Sequence, residues 1–303
     1  MSEQVILLCP GQGAQKVGMG KGWYDASRSA KAIFDEADEI LGDRFGRPLS
    51  EICFFDPDGI INQTNISQPA IYTTSIASWH GILEQGCAYE PIAVAGLSLG
   101  EYSALHLGGA FTFSEGLQLV AKRGQLMQDA AEAESSTMIA VMGEDADILA
   151  LCDEARGDDV LVPANFNAPG QIVLSGSVAA CDRVSNLASE RGVRATPLSV
   201  AGAFHSPFME SAAVGMREAL AASNFSDLTF EVWSNVTAER HKNEDITERL
   251  VQQITGSVRW AQQCTTMATM YDGAWHELGP GSVLRGLMRR IDRQVKVQSH
   301  DEP

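Results

Sequence analysis

An apolar stretch, Pro91-Ile92-Ala93-Val94-Ala95, runs directly into Gly96-Leu97-Ser98-Leu99-Gly100. A strand that ends in Gly-x-Ser-x-Gly and turns at once into a helix is a nucleophile elbow. Glu101-Tyr102-Ser103-Ala104-Leu105 reads as that helix. The turn is so sharp that the residues two places either side of the serine must be small. It lifts the Ser98 hydroxyl out of the sheet and aims the Leu99 N–H and the positive helix end at any oxyanion formed there.

Periodicity around the elbow reads as α/β. A strand over 5–9 opens into the glycine-rich turn Pro10-Gly11-Gln12-Gly13-Ala14-Gln15, and helices are predicted over 29–41 and 68–84. Another helix starts at Phe113, with Ser114 as N-cap and Glu115 in the first turn. The stretch 135–200 differs, following the order β-α-β-β-α-β. Its strands fall at 137–142, 160–164, 171–174 and 193–200, its helices at 146–155 and 179–190, and 165–170 is read as a loop. That order is the split βαβ unit of a ferredoxin-like domain. Beyond it come a helix at 208–222, a strand at 230–234, a helix at 245–255, a strand at 275–278 and a helix at 283–291. The expected fold is α/β: an α/β-hydrolase-like large domain, discontinuous over 1–134 and 201–303, with an inserted ferredoxin-like small domain over 135–200.

Charge narrows the function. With 22 basic and 39 acidic residues the net charge is −17, which opposes binding to nucleic acid and to anionic membranes. No apolar run has the length of a membrane span, and 5–8 is too short for a signal core. The six cysteines are scattered with no Cys-x-x-Cys, as expected for reduced thiols in the cytoplasm. Asn62, Asn65, Asn224 and Asn235 fit glycosylation patterns that carry no meaning without a secretory signal.

Ser98 needs a base. Of six histidines, His205 stands apart because it sits in a small-residue loop after a strand and just before a helix, where catalytic groups collect in α/β folds. His106 is the runner-up, whereas His241 and His300 have charged neighbours and read as solvated. Arg123 lies in a mostly apolar helical segment. A solvated arginine is the ordinary reading, and a fork that grips a carboxylate is the alternative.

Taken together, Pro10 to Gln15, Gly96 to Leu105, Arg123-Gly124, Asn165 to Gln171, Ala203-Phe204-His205-Ser206, Val258-Arg259-Trp260 and Glu277 to Gly281 resemble the malonyl-CoA:acyl-carrier-protein transacylases of fatty-acid synthesis and the related acyltransferase domains of polyketide synthases. The segments span almost the whole chain in the family order. The resemblance implies that Ser98 is acylated and that His205 is general base and then acid. It implies that the carbonyl of Gln253 orients His205 in place of a carboxylate, and that the N–H groups of Gln12 and Leu99 form the oxyanion hole. Arg123 would bind the malonyl carboxylate, and Asn165 and Asn167 would line the cleft. Phe204 would disfavour a 2-methyl branch. Malonyl-CoA and acyl carrier protein are the implied partners, with no metal or redox cofactor and a monomer as the default.

Leu97 departs from the pattern, for the family usually has histidine there, which bears on selectivity. An acidic carrier also requires a local basic patch on an acidic protein, which Arg285, Arg289, Arg290 and Arg293, or Lys16 and Lys21, could supply. Three other readings remain open: a polyketide acyltransferase acting in trans, a serine thioesterase or esterase, and a non-catalytic carrier-binding module. An esterase would use water as acceptor and would want an acidic residue behind its histidine. Arg123 with Gln253 speaks against that reading, and Ser98, His205, Gln12 and Arg123 together speak against a non-catalytic module.

Overall fold

Successive residues of the first strand, β1 (Glu3–Cys9), bury on opposite faces of a sheet. Val5, Leu7 and Cys9 enter one core cluster, and Ile6 and Leu8 enter another. An apolar strand buried on both faces belongs in a parallel sheet covered on both sides. The computed structural model describes residues 2–303 and has this architecture.

In chain order the helices of the first third are α1 (Lys21–Ala26), α2 (Arg28–Leu41), α3 (Leu49–Phe55) and α4 (Thr64–Glu84). β2 (Tyr89–Gly96) delivers the elbow, followed by α5 (Gly100–Leu107) and α6 (Phe113–Ala133). Then come β3 (Ser136–Met142), α7 (Asp145–Arg156), β4 (Leu161–Ala168), β5 (Gln171–Ser177), α8 (Val178–Glu190) and β6 (Arg194–Pro197). The last third holds α9 (Glu210–Ala221), β7 (Glu231–Trp233), α10 (Ile246–Thr255), α11 (Trp260–Met270), β8 (Ala274–Leu278), α12 (Val283–Ile291) and β9 (Val297–His300).

Five strands form an all-parallel sheet in the order β7-β2-β1-β8-β9. The other four form an antiparallel sheet, β4-β5-β3-β6, the order of a ferredoxin-like unit. One face of this small sheet packs Ile139, Val141, Ile172 and Leu174 against Ile148 and Leu151 of α7 and Val184 of α8. From the other face Met138, Ala164 and Val173 join the main core. The segment after α10 ties the sheets together, because Phe166 donates to the Val258 carbonyl at 2.9 Å and Val258 donates to the Ala164 carbonyl at 2.8 Å. Among the described residues no helix is long and apolar enough to cross a membrane.

Several sequence expectations are corrected. Thr112, not Ser114, caps α6: its hydroxyl accepts the Glu115 N–H while the Glu115 carboxylate accepts the Thr112 N–H. α4 begins at Thr64, with Pro69 inside it, and its buried Thr and Ser residues hide the apolar period that would announce its start. Asn165, Phe166 and Asn167 are strand residues of β4, and only Pro169-Gly170 turns. The predicted strand over 193–200 is confined to Arg194–Pro197. α1, α3, α11 and β9 have no counterpart in the sequence reading.

The elbow glycines have a steric cause. A Cβ on Gly96 would lie 1.8 Å from the Gly100 carbonyl carbon, and one on Gly100 would lie 2.1 Å from the Cys9 carbonyl oxygen. Backbone cannot retreat as a side chain can. Gly96→Ala is therefore expected to destabilise by about 3 kcal/mol or more. Gly286, inside α12, has nothing within 4 Å of its would-be Cβ, so Gly286→Ala should stabilise by about 0.5–1 kcal/mol. Urea denaturation midpoints of the two variants check both signs.

Candidate active site

The carboxyl ends of β1 and β2 lie side by side, with Leu97 N–H donating to the Cys9 carbonyl at 3.0 Å. This places the loop carrying Gln12 beside the elbow carrying Ser98, at the end of a parallel sheet where ligands bind. Ser98 holds the left-handed backbone conformation, φ 52°, that a non-glycine residue adopts only under constraint. Its N–H donates to Asn235 Oδ1 at 2.6 Å, and its carbonyl accepts from Gln253 Nε2 at 2.9 Å.

His205 Nε2 lies 2.8 Å from Ser98 Oγ, and Nδ1 lies 2.7 Å from the main-chain carbonyl of Gln253. A carbonyl only accepts, so Nδ1 carries the proton and Nε2 presents its lone pair to the serine. Arg123 Nη2 also donates to Ser98 Oγ at 3.2 Å, which directs the hydroxyl proton toward the imidazole. Burial, and then the Arg123 charge, push the His205 pKa down to about 4, against a smaller opposing effect of the Gln253 carbonyl. The ring is therefore neutral at pH 7 and able to accept a proton.

Arg123 is 1 % exposed, which overturns the solvated reading. Nη1 donates to Gln68 Oε1 at 2.7 Å, Nη2 donates to Gln253 Oε1 at 2.8 Å, and Nε is buried with no hydrogen-bond partner among the described residues. No carboxylate pairs with the guanidinium among the described residues. A buried positive charge held by two amide oxygens and one hydroxyl, with no counter-charge in direct contact, has capacity left for an anion.

Gln12, Leu97, Ser98, Arg123, Asn165, Asn167, Phe204 and His205 line one cleft of about 330 Å³ between the two sheets. The N–H groups of Gln12 and Leu99 find no acceptor within the protein among the described residues, as donors reserved for a ligand oxygen would. Gln253 is buried behind His205. His106 lies outside the cleft, its Nδ1 on the Phe111 carbonyl at 3.0 Å. His241 and His300 are buried, not solvated. His241 meets Glu101 and His300 meets His276, contacts that charged neighbours in sequence could not reveal. Glu277 stands apart from the cleft, where its carboxylate accepts the Leu284 and Arg285 N–H groups and caps α12.

Sequence reasoning missed Gln68, Glu101 and Asn235. Asn235 belongs to a pattern set aside as a meaningless glycosylation site. Its position just beyond β7, the neighbour of β2, was the available signal. No group of three or more His, Cys, Asp or Glu is arranged to hold a metal among the described residues.

Fold and cleft define an α/β protein built on an elbow serine. The chain belongs to the acyl transferase domain family, whose model matches residues 6–298. It is 39% identical to the malonyl CoA-acyl carrier protein transacylase of Bacillus subtilis over 304 residues, covering 99% of this chain and 94% of that protein. The crystal structure of malonyl-CoA:acyl carrier protein transacylase from Xanthomonas oryzae superposes with a TM-score of 0.93 at 37% identity, covering 100% of this chain and 96% of the other. A malonyl-transacylase solved in complex with a type II polyketide acyl-carrier protein superposes with a TM-score of 0.92 at 32% identity, covering 100% and 97%.

The acylation rate with an uncharged acyl donor should be flat from neutral pH down to about 5 and fall as His205 protonates near pH 4. Arg123 disfavours the imidazolium, so Arg123→Ala should move that acid limb upward. Rate against pH for the parent and the variant checks the sign.

Proposed function

We propose that this chain carries a malonyl group from malonyl-CoA to the phosphopantetheine thiol of an acyl carrier protein through malonyl-Ser98, in fatty-acid biosynthesis in the cytoplasm. The observation that carries the reading is a buried guanidinium without a carboxylate partner, 3.2 Å from the elbow serine oxygen. An acyl group with a carboxylate two carbons from its carbonyl can be esterified to Oγ and still reach Arg123.

In this reading His205 Nε2 takes the Ser98 proton as Oγ attacks the thioester carbonyl. The oxyanion rests between the Gln12 and Leu99 N–H groups. Its collapse breaks the C–S bond, and imidazolium returns the proton to the departing CoA sulfur. The carrier's thiol then loses its proton to His205, attacks the malonyl ester and leaves Ser98 restored. Protein groups account for every proton and charge, so the scheme calls on no metal or cofactor. Asn165 and Asn167 line the small-sheet wall of the cleft, Phe204 is the residue read as crowding a 2-methyl branch, and Leu97 lines the same cleft beside Ser98. The division into 1–134 with 201–303 and 135–200 belongs to the same proposal, the small sheet falling within 136–197.

The carrier's landing site is read from charge. Lys16 and Lys21, two of the candidate cations, are already paired, with Asp301 and Asp25. Arg285, Arg289, Arg290, Arg293 and Lys296 are exposed, and none is in an ion pair among the described residues. Arg290 reaches the carbonyls of Pro169 and Gly170, in the turn after the strand whose Asn165 and Asn167 line the cleft. An acidic carrier docked there would deliver its thiol from the domain junction. The protein is read as a monomer.

Arg123→Ala should slow acylation by malonyl-CoA by roughly 10²-fold or more and leave acetyl-CoA less affected; equal losses for both thioesters would remove the carboxylate grip. The parent should favour malonyl over methylmalonyl. Arg289→Glu with Arg293→Glu should raise KM for the carrier about tenfold while malonyl-Ser98 forms at the parent rate, which single-turnover and steady-state assays separate.

A further inference from the structure

Glu101 is fully buried on the first turn of α5, yet it touches neither the cleft nor a reacting atom. Three donors converge on its carboxylate. Gln253 Nε2 and the Asn235 main-chain N–H meet Oε2 at 2.6 and 3.1 Å, and His241 Nε2 meets Oε1 at 2.6 Å. The His241 side chain is likewise fully buried, and its Nδ1, 3.8 Å from Asp245 Oδ1, has no hydrogen-bond partner among the described residues.

The two amide residues tied to Glu101 are those that hold the strained serine. Asn235 Oδ1 takes the Ser98 N–H, and its Nδ2 grips the Gly96 carbonyl at 2.7 Å. Gln253 Nε2 takes the Ser98 carbonyl. Glu101 also fixes which way the Gln253 amide faces. With Nε2 toward Glu101 and Ser98, Oε1 must face Arg123, and a flipped amide would set donor against donor there. Gln253 further presents the main-chain carbonyl that orients His205.

We propose that Glu101, braced by His241, is the positioning residue of this site: one buried carboxylate sets the elbow peptide, the base and the guanidinium through Asn235 and Gln253. The proposal rests on the reading that Ser98 and His205 carry the acyl transfer. Its negative charge also faces Arg123 across the Gln253 amide, which helps keep the guanidinium charged in its buried site. A glutamine at position 101 would fit the space but would remove the charge and keep one acceptor oxygen for three donors, so its N–H faces either the Gln253 and Asn235 donors or a His241 Nε2 that must first give up its proton.

The test uses Glu101→Gln, His241→Met and His241→Gln, the last keeping a donor near Nε2. Ser98 labelling by a small neutral fluorophosphonate reads the nucleophile without malonyl or CoA, and malonyl-CoA turnover gives kcat and KM below each variant's melting temperature. Glu101→Gln should label roughly 10²-fold more slowly, with kcat falling by more than KM changes. His241→Met should lose in the same direction, and His241→Gln should recover most of the loss. Should Glu101→Gln fail to fold, the two His241 variants carry the test. Folded variants that label at the parent rate, or a His241→Gln no better than His241→Met, would overturn the proposal alone. A parent whose Ser98 ignores both reagents would overturn the functional reading and this proposal with it.

Discussion

The Ser98 peptide is forced into a conformation it would not choose, and the rest of the site is arranged around holding it there. Gly96 and Gly100 let two backbones approach closer than any side chain would permit. Asn235 and Gln253 then take the N–H and C=O of the strained residue. The return is geometric: a hydroxyl standing clear of the sheet, with the Leu99 N–H beside it and the Gln12 loop across from it. The strain is over-determined by the surrounding contacts, which is the condition under which such a conformation persists.

Burial sets the electrostatics of the cleft. Imidazole and guanidinium lie in contact with the same serine oxygen, and burial lowers the affinity of both for charge. They settle the competition differently, because arginine keeps its proton even when desolvated whereas His205 gives its own up. One side chain is thereby a permanent cation, and the other is a neutral imidazole able to accept a proton. Gln253 serves both, with its main-chain carbonyl on the histidine and its side-chain oxygen on the arginine. An acidic residue behind the histidine, as in a hydrolase triad, would place a second charge next to Arg123; a carbonyl avoids it.

The elbow, the parallel strands and the β-α-β-β-α-β order were legible because each is a local pattern of small, apolar or β-branched residues. Ser98, His205 and Arg123 were legible as residues near such patterns, although Arg123 looked solvated because burial is not written in its neighbours. Asn165 and Asn167 read as loop because they are polar and precede Pro-Gly. They are in a strand because β4 folds back on β5, pairing Asn165 with Val173 and Phe166 with Ile172, while Val258, more than ninety positions away in the chain, bridges Asn165 from another segment. Glu101, Asn235, His241 and Gln68 follow the same logic. Their partners come from distant segments, so no spacing rule points to them. Ser114 shows the local limit, for Thr112 two residues earlier wins the cap through its reciprocal bond with Glu115.

The central claim is that Ser98 is acylated and gives its acyl group to a thiol in preference to water. The direct measurement is intact mass of the protein after brief exposure to malonyl-CoA, with removal of excess thioester, a wait in buffer, and then addition of a phosphopantetheine thiol. A malonyl adduct that maps to Ser98, survives the wait and disappears only when the thiol is added is the expected result. An adduct that decays in buffer as fast as it forms, with malonate released, would contradict the account and identify a hydrolase.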